Sequence, residues 1–339
     1  MGWISAIFGT AGLVSLVPAL WKLRGHLAGT TLRTAWNWAA GGMLLWGVAW
    51  TASLLDPAIP AGIADQLWYA AALVLLCAPI AVLGAKRPGA RVWAWFILFP
   101  LLLVLGWPAW FAWREGWPPR DLVLVEPAFW AFVAVSIMGV GNYLGTRWAF
   151  SALLFELALL CVVAPLSAYR WNWLPGQELG RILGTFSLIA AVWIPRLTAP
   201  PRPVGAHGLE LVWWDFRDWF GIVWSRRLLE RFNEMCRQSR LPVRLELEGF
   251  WYRDSAGDPS ATPADAGSPP TAHPSERYGL PAAPEVCAGM ERTLRWLLRR
   301  FVDPEWIDLR MTRSDQAPAA DPDSGADRQE VHLQKRELM

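Results

Sequence analysis

The sequence predicts a membrane all-α fold: about seven transmembrane helices, N-terminus outside and C-terminus inside, followed by a small cytosolic α+β domain. Three observations predict it. Of 339 residues, 54% are hydrophobic and only 18% charged, with 25 tryptophans, a balance foreign to soluble domains. Seven apolar runs each approach the roughly 20 residues that cross a hydrocarbon core. Charge is also uneven: residues 1–199 carry 12 Lys/Arg and 7 Asp/Glu, whereas the last 140 carry 19 and 22.

The runs lie at about 3–21, 34–55, 66–85, 92–113, 127–144, 148–168 and 179–198, within a bundle spanning 1–199. Backbone polar groups in lipid must be satisfied within the segment, which makes each run a helix. The connection between the fifth and sixth runs, "GNYLGTR", is very short. Orientation follows from loop Lys and Arg. Lys22, Arg24 and Arg33 follow the first run, Lys86, Arg87 and Arg91 the third, and Arg147 the fifth. An outside N-terminus puts these seven inside, against Arg114, Arg120, Arg170 and Arg181 outside. The C-terminal part then faces the cytoplasm, beneath a cytoplasmic membrane. Eighteen tryptophans fall before residue 200, many at run ends, including Trp21, Trp36, Trp110 and Trp113. Such positions suit an aromatic belt at headgroup depth.

Past Pro200 the pattern changes. Residues 200–253 read as an amphipathic helix (211–238) and a half-buried strand (243–252) in which Val243, Leu245 and Leu247 alternate with charge. Residues 254–283 are rich in Pro, Ala, Ser, Gly and Asp, the composition of a disordered insertion. Residues 284–313 complete the domain: a helix striped by Val286, Met290, Leu294, Leu297 and Phe301, then a second strand at 306–311. A polar, disordered tail is expected from 314 to 339.

Glu156 stands out because it lies mid-run in "SALLFELALLCVV". A carboxylate in hydrocarbon is costly and marks a functional or helix-gluing position. Its expected partners are Arg196 or the polar cluster Asn142, Tyr143 and Arg147. Two GxxxG patterns, Gly141–Gly145 and Gly180–Gly184, permit close helix approach. In "LVWWDFRDWFGIVWSRRLLERF", Trp213, Phe216, Trp219, Phe220 and Trp224 share one helical face, and beyond Gly221 the apolar stripe rotates. That rotation predicts two targets: a membrane-interface half carrying those five aromatics, aided by Trp296 among Arg292, Arg295 and Arg299, and a second half packed on the domain.

The composition excludes several classes. A net charge of +2 argues against a nucleic-acid partner. The four cysteines are scattered without CxxC spacing, so no metal knuckle or disulfide framework is expected. Trp213, Trp214 and Asp215 resemble, over three letters, the Trp-rich segment of haem-handling membrane proteins of cytochrome c assembly. Those proteins also use histidines at the membrane, whereas His26, His207, His273 and His332 all lie outside the runs. No run holds a lysine for a retinal Schiff base, and no P-loop, HExxH or GxSxG signature occurs. No cofactor, metal or catalytic residue is expected. The partners expected are the lipid bilayer, a cytosolic protein and a second copy through edge pairing of short strands. The leading expectation is a membrane-embedded binding, sensing or scaffold protein. The alternative is a transporter or channel for a small or lipophilic solute with Glu156 in the path.

Overall fold

The computed structural model describes residues 3–54, 59–114, 116–117, 119–169, 176–198, 208–253, 276–278 and 283–312. All seven apolar runs are helical: α1 (Trp3–His26), α2 (Arg33–Leu54), α3 (Ala61–Leu83), α4 (Ala90–Trp93) continuing into α5 (Phe99–Arg114), α6 (Ala128–Gly141), α7 (Ala149–Val163) and α8 (Gln177–Thr198). Between α4 and α5 the chain makes a π-turn, Ala94–Leu98. Pro100 follows it and brings no N–H to the ladder, which a local change of helical pitch accommodates. Among the described residues, Ala61–Leu83, Ala94–Arg114 and Ala149–Leu166 are long and apolar enough to cross a membrane, and Ala128–Gly141 is apolar but shorter.

Burial in the bundle is arranged around α3, where Trp68, Tyr69 and Ile80 are fully enclosed. The outer helices show the opposite. Trp95, Phe96, Leu103, Val104 and Trp107 are each more than half exposed along one side of the π-turn and α5. Similar exposed apolar side chains occur on α1, α2, α6, α7 and α8. Water-soluble monomers rarely present apolar surface on this scale. Small residues set the close contacts. On α2, a Cβ at Gly42 would lie 2.7 Å from the Leu75 nitrogen of α3, and on α8 one at Gly184 would lie 2.9 Å from the Ala158 oxygen of α7. Of the two GxxxG patterns, Gly180–Gly184 is therefore a helix contact. Gly141–Gly145 is not: a Cβ at Gly141 would meet nothing within 4 Å, and Gly145 faces Ile222.

The C-terminal unit contains α9 (Gly208–Gln238), β1 (Val243–Leu245), β2 (Phe250–Arg253), β3 (Glu276–Tyr278), α10 (Pro284–Leu298) and α11 (Pro304–Met311). Three expectations need correction. The strand expected over 243–252 is a hairpin, with Val243 opposite Tyr252 and Leu245 opposite Phe250. Its turn closes through the Glu246 N–H on the Gly249 carbonyl at 2.8 Å, and Gly249 supplies a φ of 152° that side chains disfavour. Residues 276–278, placed in the disordered insertion, form β3 and pair antiparallel with β2. The rest of that insertion apart from Ala283, and the tail from 313 on, lie outside the described residues. The strand expected at 306–311 is a helix whose buried residues are Trp306 and Ile307, while Leu309 is exposed. Asp303 and Pro304 at its start, with Glu305 in its first turn, are a helix-initiation signal that outweighs a six-residue alternation.

Candidate functional site

The most elaborate polar construction joins the C-terminal unit to the bundle. It is built on Gly221, where α9 leaves helical geometry with φ 77° and ψ −179°. Only glycine adopts this region without strain. The break frees backbone groups that an intact helix would pair among themselves. Asn142, at the C-terminal end of α6, takes up most of them. Its backbone oxygen accepts the Ile222 N–H at 2.8 Å. Its side-chain oxygen accepts the Val223 N–H at 3.0 Å, and its Nδ2 donates to the Phe220 carbonyl at 3.1 Å. The Tyr143 hydroxyl donates to the Trp219 carbonyl at 3.3 Å, and Ser225 Oγ returns to the Gly221 carbonyl at 2.8 Å. Asn142 is itself buried.

Beside this joint, Asp218 is 2% exposed and faces Arg147 Nε at 3.1 Å and Arg217 Nη2 at 3.2 Å. Burial pushes its carboxyl above the usual carboxylate range, against the opposing pull of the Arg217 and Arg147 guanidiniums. Arg217 also donates to the Leu247 carbonyl at 2.8 Å, which ties the hairpin turn to the joint.

Two further connections meet the same unit. The Arg87 N–H donates to the Arg300 carbonyl at 2.8 Å, and Arg87 pairs with Asp303 at 2.6 Å. The Thr31 N–H donates to the Phe301 carbonyl at 2.9 Å, and the Asp303 N–H to the Gly29 carbonyl at 2.7 Å. Connections 27–32, 84–89 and 142–148 therefore all lie at the end of the bundle that carries the C-terminal unit. At the other end, Leu124 bridges Ser167.

The aromatic stretch of α9 is largely core, which corrects its assignment to a membrane interface. Trp213, Phe216 and Phe220 are fully buried and Trp224 is 8% exposed. Phe216 and Phe220 stack at 4.6 Å, and Phe301 packs edge-on against Phe216, Phe220 and Trp224 at 5.0–5.4 Å. The rotation of the apolar stripe past Gly221 reflects the break in the helix and not a change of solvent. Trp219 turns instead toward the bundle, 6.4 Å from Trp148. Trp296 alone of the six is exposed, at 47%, with Arg299 stacked on it. It borders an 820 Å³ groove shared with Lys86, Arg227, Arg231 and Arg300. Arg295, expected beside it on the headgroup side, pairs with Glu291 and Asp308.

Among the described residues, Glu156 does not meet the expected partners Asn142, Tyr143 and Arg147. Asn142, Tyr143 and Arg147 are engaged by α9, and the Arg196 side chain lies outside the described residues. Its partner is Ser136 of α6, whose Oγ lies 2.6 Å from Oε1. Oε2 is buried without a hydrogen bond among the described residues. The preceding Phe155 and, one turn back, Ala152 line a cavity of about 330 Å³ with Trp36, Ala39, Trp148 and Trp219. Glu156 is not among its lining residues. Three polar side chains of its lining are bonded within the protein: Ser151 Oγ on the Ala191 carbonyl at 2.8 Å, Trp36 Nε1 on the Leu20 carbonyl at 3.0 Å and the Tyr143 hydroxyl on the Trp219 carbonyl at 3.3 Å.

A second buried cluster escaped the sequence reading. Arg181 of α8 pairs with Asp65 of α3 at 2.5 Å. Thr185 Oγ1 accepts both the Trp46 and Trp50 indole N–H groups, at 2.9 and 2.8 Å. Asp65 and Arg181 sit near the ends of apolar runs and read there as ordinary flanking charges. The available signal was their opposite sign at ends that alternating helices bring together. No family model, curated protein or solved structure matches the chain. Among the described residues, no group of three His, Cys, Asp or Glu could hold a metal ion.

Proposed function

We propose that the chain is a seven-span protein of the cytoplasmic membrane, N-terminus outside, whose C-terminal unit lies on the cytoplasmic face and serves a binding or sensing function. The exposed apolar side chains of the outer helices support the membrane. The basic connections that meet the C-terminal unit support its cytoplasmic placement. Trp219 is the observation that carries the sensing part. The residue lines the apolar cavity of the bundle while its carbonyl belongs to the Gly221 joint. An occupant of the cavity would thus touch the element that holds the C-terminal unit. That unit offers a cytosolic partner the groove at Trp296, where Lys86, Arg227, Arg231 and Arg300 outnumber Glu230 and Glu234. A second copy would pair on β3, because Asn233 already takes the Leu245 N–H and carbonyl at 2.7 and 2.8 Å on the outer edge of β1.

Reporter fusions after residues 55 and 197 test the topology. An outside-active reporter should function at the first site and fail at the second. The reverse pattern sinks the orientation.

The second reading, a transporter or channel for a small or lipophilic solute with Glu156 in the path, draws on the unbonded Oε2. Against it, Glu156 does not line the neighbouring cavity, and the apolar walls lack the several polar sites that an ion or proton path carries. Glu156→Gln keeps an oxygen for Ser136 and is expected to leave thermal stability within about 1 kcal/mol of wild type. Proteoliposomes should show no solute or proton flux that depends on Glu156. Flux in wild type that the Gln variant abolishes would replace the sensing reading with transport.

A further inference from the structure

We infer that the 330 Å³ cavity holds one acyl chain of an anionic phospholipid, with the phosphate at the Lys22–Arg24–Arg33 end of α1 and α2; this rests on the membrane reading above. The volume falls within the roughly 300–1,000 Å³ of small-molecule sites. Its walls are aliphatic and aromatic, and the Ser151 and Trp36 donors are already used within the protein. Water needs polar partners that such a space does not offer, and a polar solute would lose its own hydrogen bonds on entry. A hydrocarbon chain loses none.

The head of the occupant is set by charge. Trp36, on the cavity wall, carries the Arg24 guanidinium at 5.4 Å from its ring, and Arg24 also lies over Trp21 at 5.3 Å. Lys22 and Arg33 flank the lining residues Leu23 and Leu32, and all three cations are exposed. The first 55 residues contain no Asp or Glu, and the nearby Asp303, packed beside Gly29, is already paired with Arg87. Across the cavity, Arg147 stacks on Trp148 at 4.5 Å, but its side chain is only 23% exposed and is held on the buried Asp218 at 3.1 Å. The phosphate therefore belongs on the Arg24 side, where each cation attracts anionic lipid. Trp219 closes the cavity from the C-terminal unit, which makes the lipid a contact shared by the two parts of the chain.

The test uses the full chain in phosphatidylcholine nanodiscs with a trace of phosphatidylglycerol bearing a photoactivatable acyl chain. Labelled peptides are mapped after irradiation. Labels are expected at 36–39, 148–155 and 219, and on the exposed face of α5 around Leu103 and Trp107, where bulk lipid lies. Ala152→Phe, and independently Ala39→Phe, should lower the cavity labels at least fivefold and leave those on α5 unchanged. Arg24→Gln should lower the preference for phosphatidylglycerol over a phosphatidylcholine probe with the same chain at least threefold. Labels on α5 without labels in the cavity overturn the inference and leave the membrane reading standing. Absence of labels at both places overturns the membrane reading itself. Cavity labels insensitive to both Phe variants, or a preference unmoved by Arg24→Gln, also overturn the assignment.

Discussion

Gly221→Ala is expected to lower stability by several kcal/mol and to loosen the C-terminal unit from the bundle. The backbone there has φ 77° and ψ −179°, a region costing about 1–3 kcal/mol for any residue with a Cβ. The new atom would also lie 2.5 Å from the Asn142 Cγ and from its backbone oxygen. Asn142 must then move, and the Phe220 carbonyl and Val223 N–H lose their partners. Each buried group left unsatisfied costs about 1–3 kcal/mol, so the total is on the order of 3–9 kcal/mol against a typical stability of about 5–15 kcal/mol. Asn142→Ala should cost less, about 2–6 kcal/mol from the same two groups. It avoids the backbone strain and keeps the Ile222 bond to the main-chain oxygen. The two variants together should fall short of the sum of their separate effects, because they break the same bonds. Thermal melts in detergent and hydrogen exchange at 219–223 measure this. A Gly221→Ala melt within about 1 kcal/mol of wild type would remove the joint from the account.

Much of the bundle was legible because its signal is length and hydropathy, which do not depend on neighbours. The seven helices fall where the apolar runs lie, and even the short "GNYLGTR" connection separates α6 from α7. The C-terminal unit was less legible because its signals are short. Three residues of alternation at 243–245 are real, but the strand ends at Leu245 and the turn completed by Gly249 sends the chain back. The joint was the least legible. Asn142 and Tyr143 were visible as polar residues near a run, and Gly221 as the point where an apolar stripe rotates. Nothing in one sequence says that the first fills the gap opened by the second, 79 positions away. Glu156 illustrates the same gap: its mid-run position was plain, but Ser136 as its partner depends on how α6 and α7 pack.

Trp213→Ser combined with Phe220→Ser is expected to unfold the C-terminal unit while the bundle stays assembled. An aromatic face at a membrane surface would predict a different result, a folded unit released from lipid. The two differ because of burial. Both side chains are fully enclosed, and Phe220 lies between Phe216 at 4.6 Å and Phe301 at 5.4 Å. Truncating a buried Phe or Trp costs about 3–5 kcal/mol, so the pair approaches the whole stability of a small unit. The loss should spread through Phe301, since its carbonyl receives the Thr31 N–H and its neighbour Arg300 holds the Arg87 N–H. Trp296→Ser is the control. Its side chain is 47% exposed and should change stability by no more than about 0.5 kcal/mol. Limited proteolysis decides between the outcomes: the double variant should be cut within 213–301 and leave a protected fragment ending near residue 198. A double variant that resists cleavage as well as wild type would show that these aromatics are not the core of the unit.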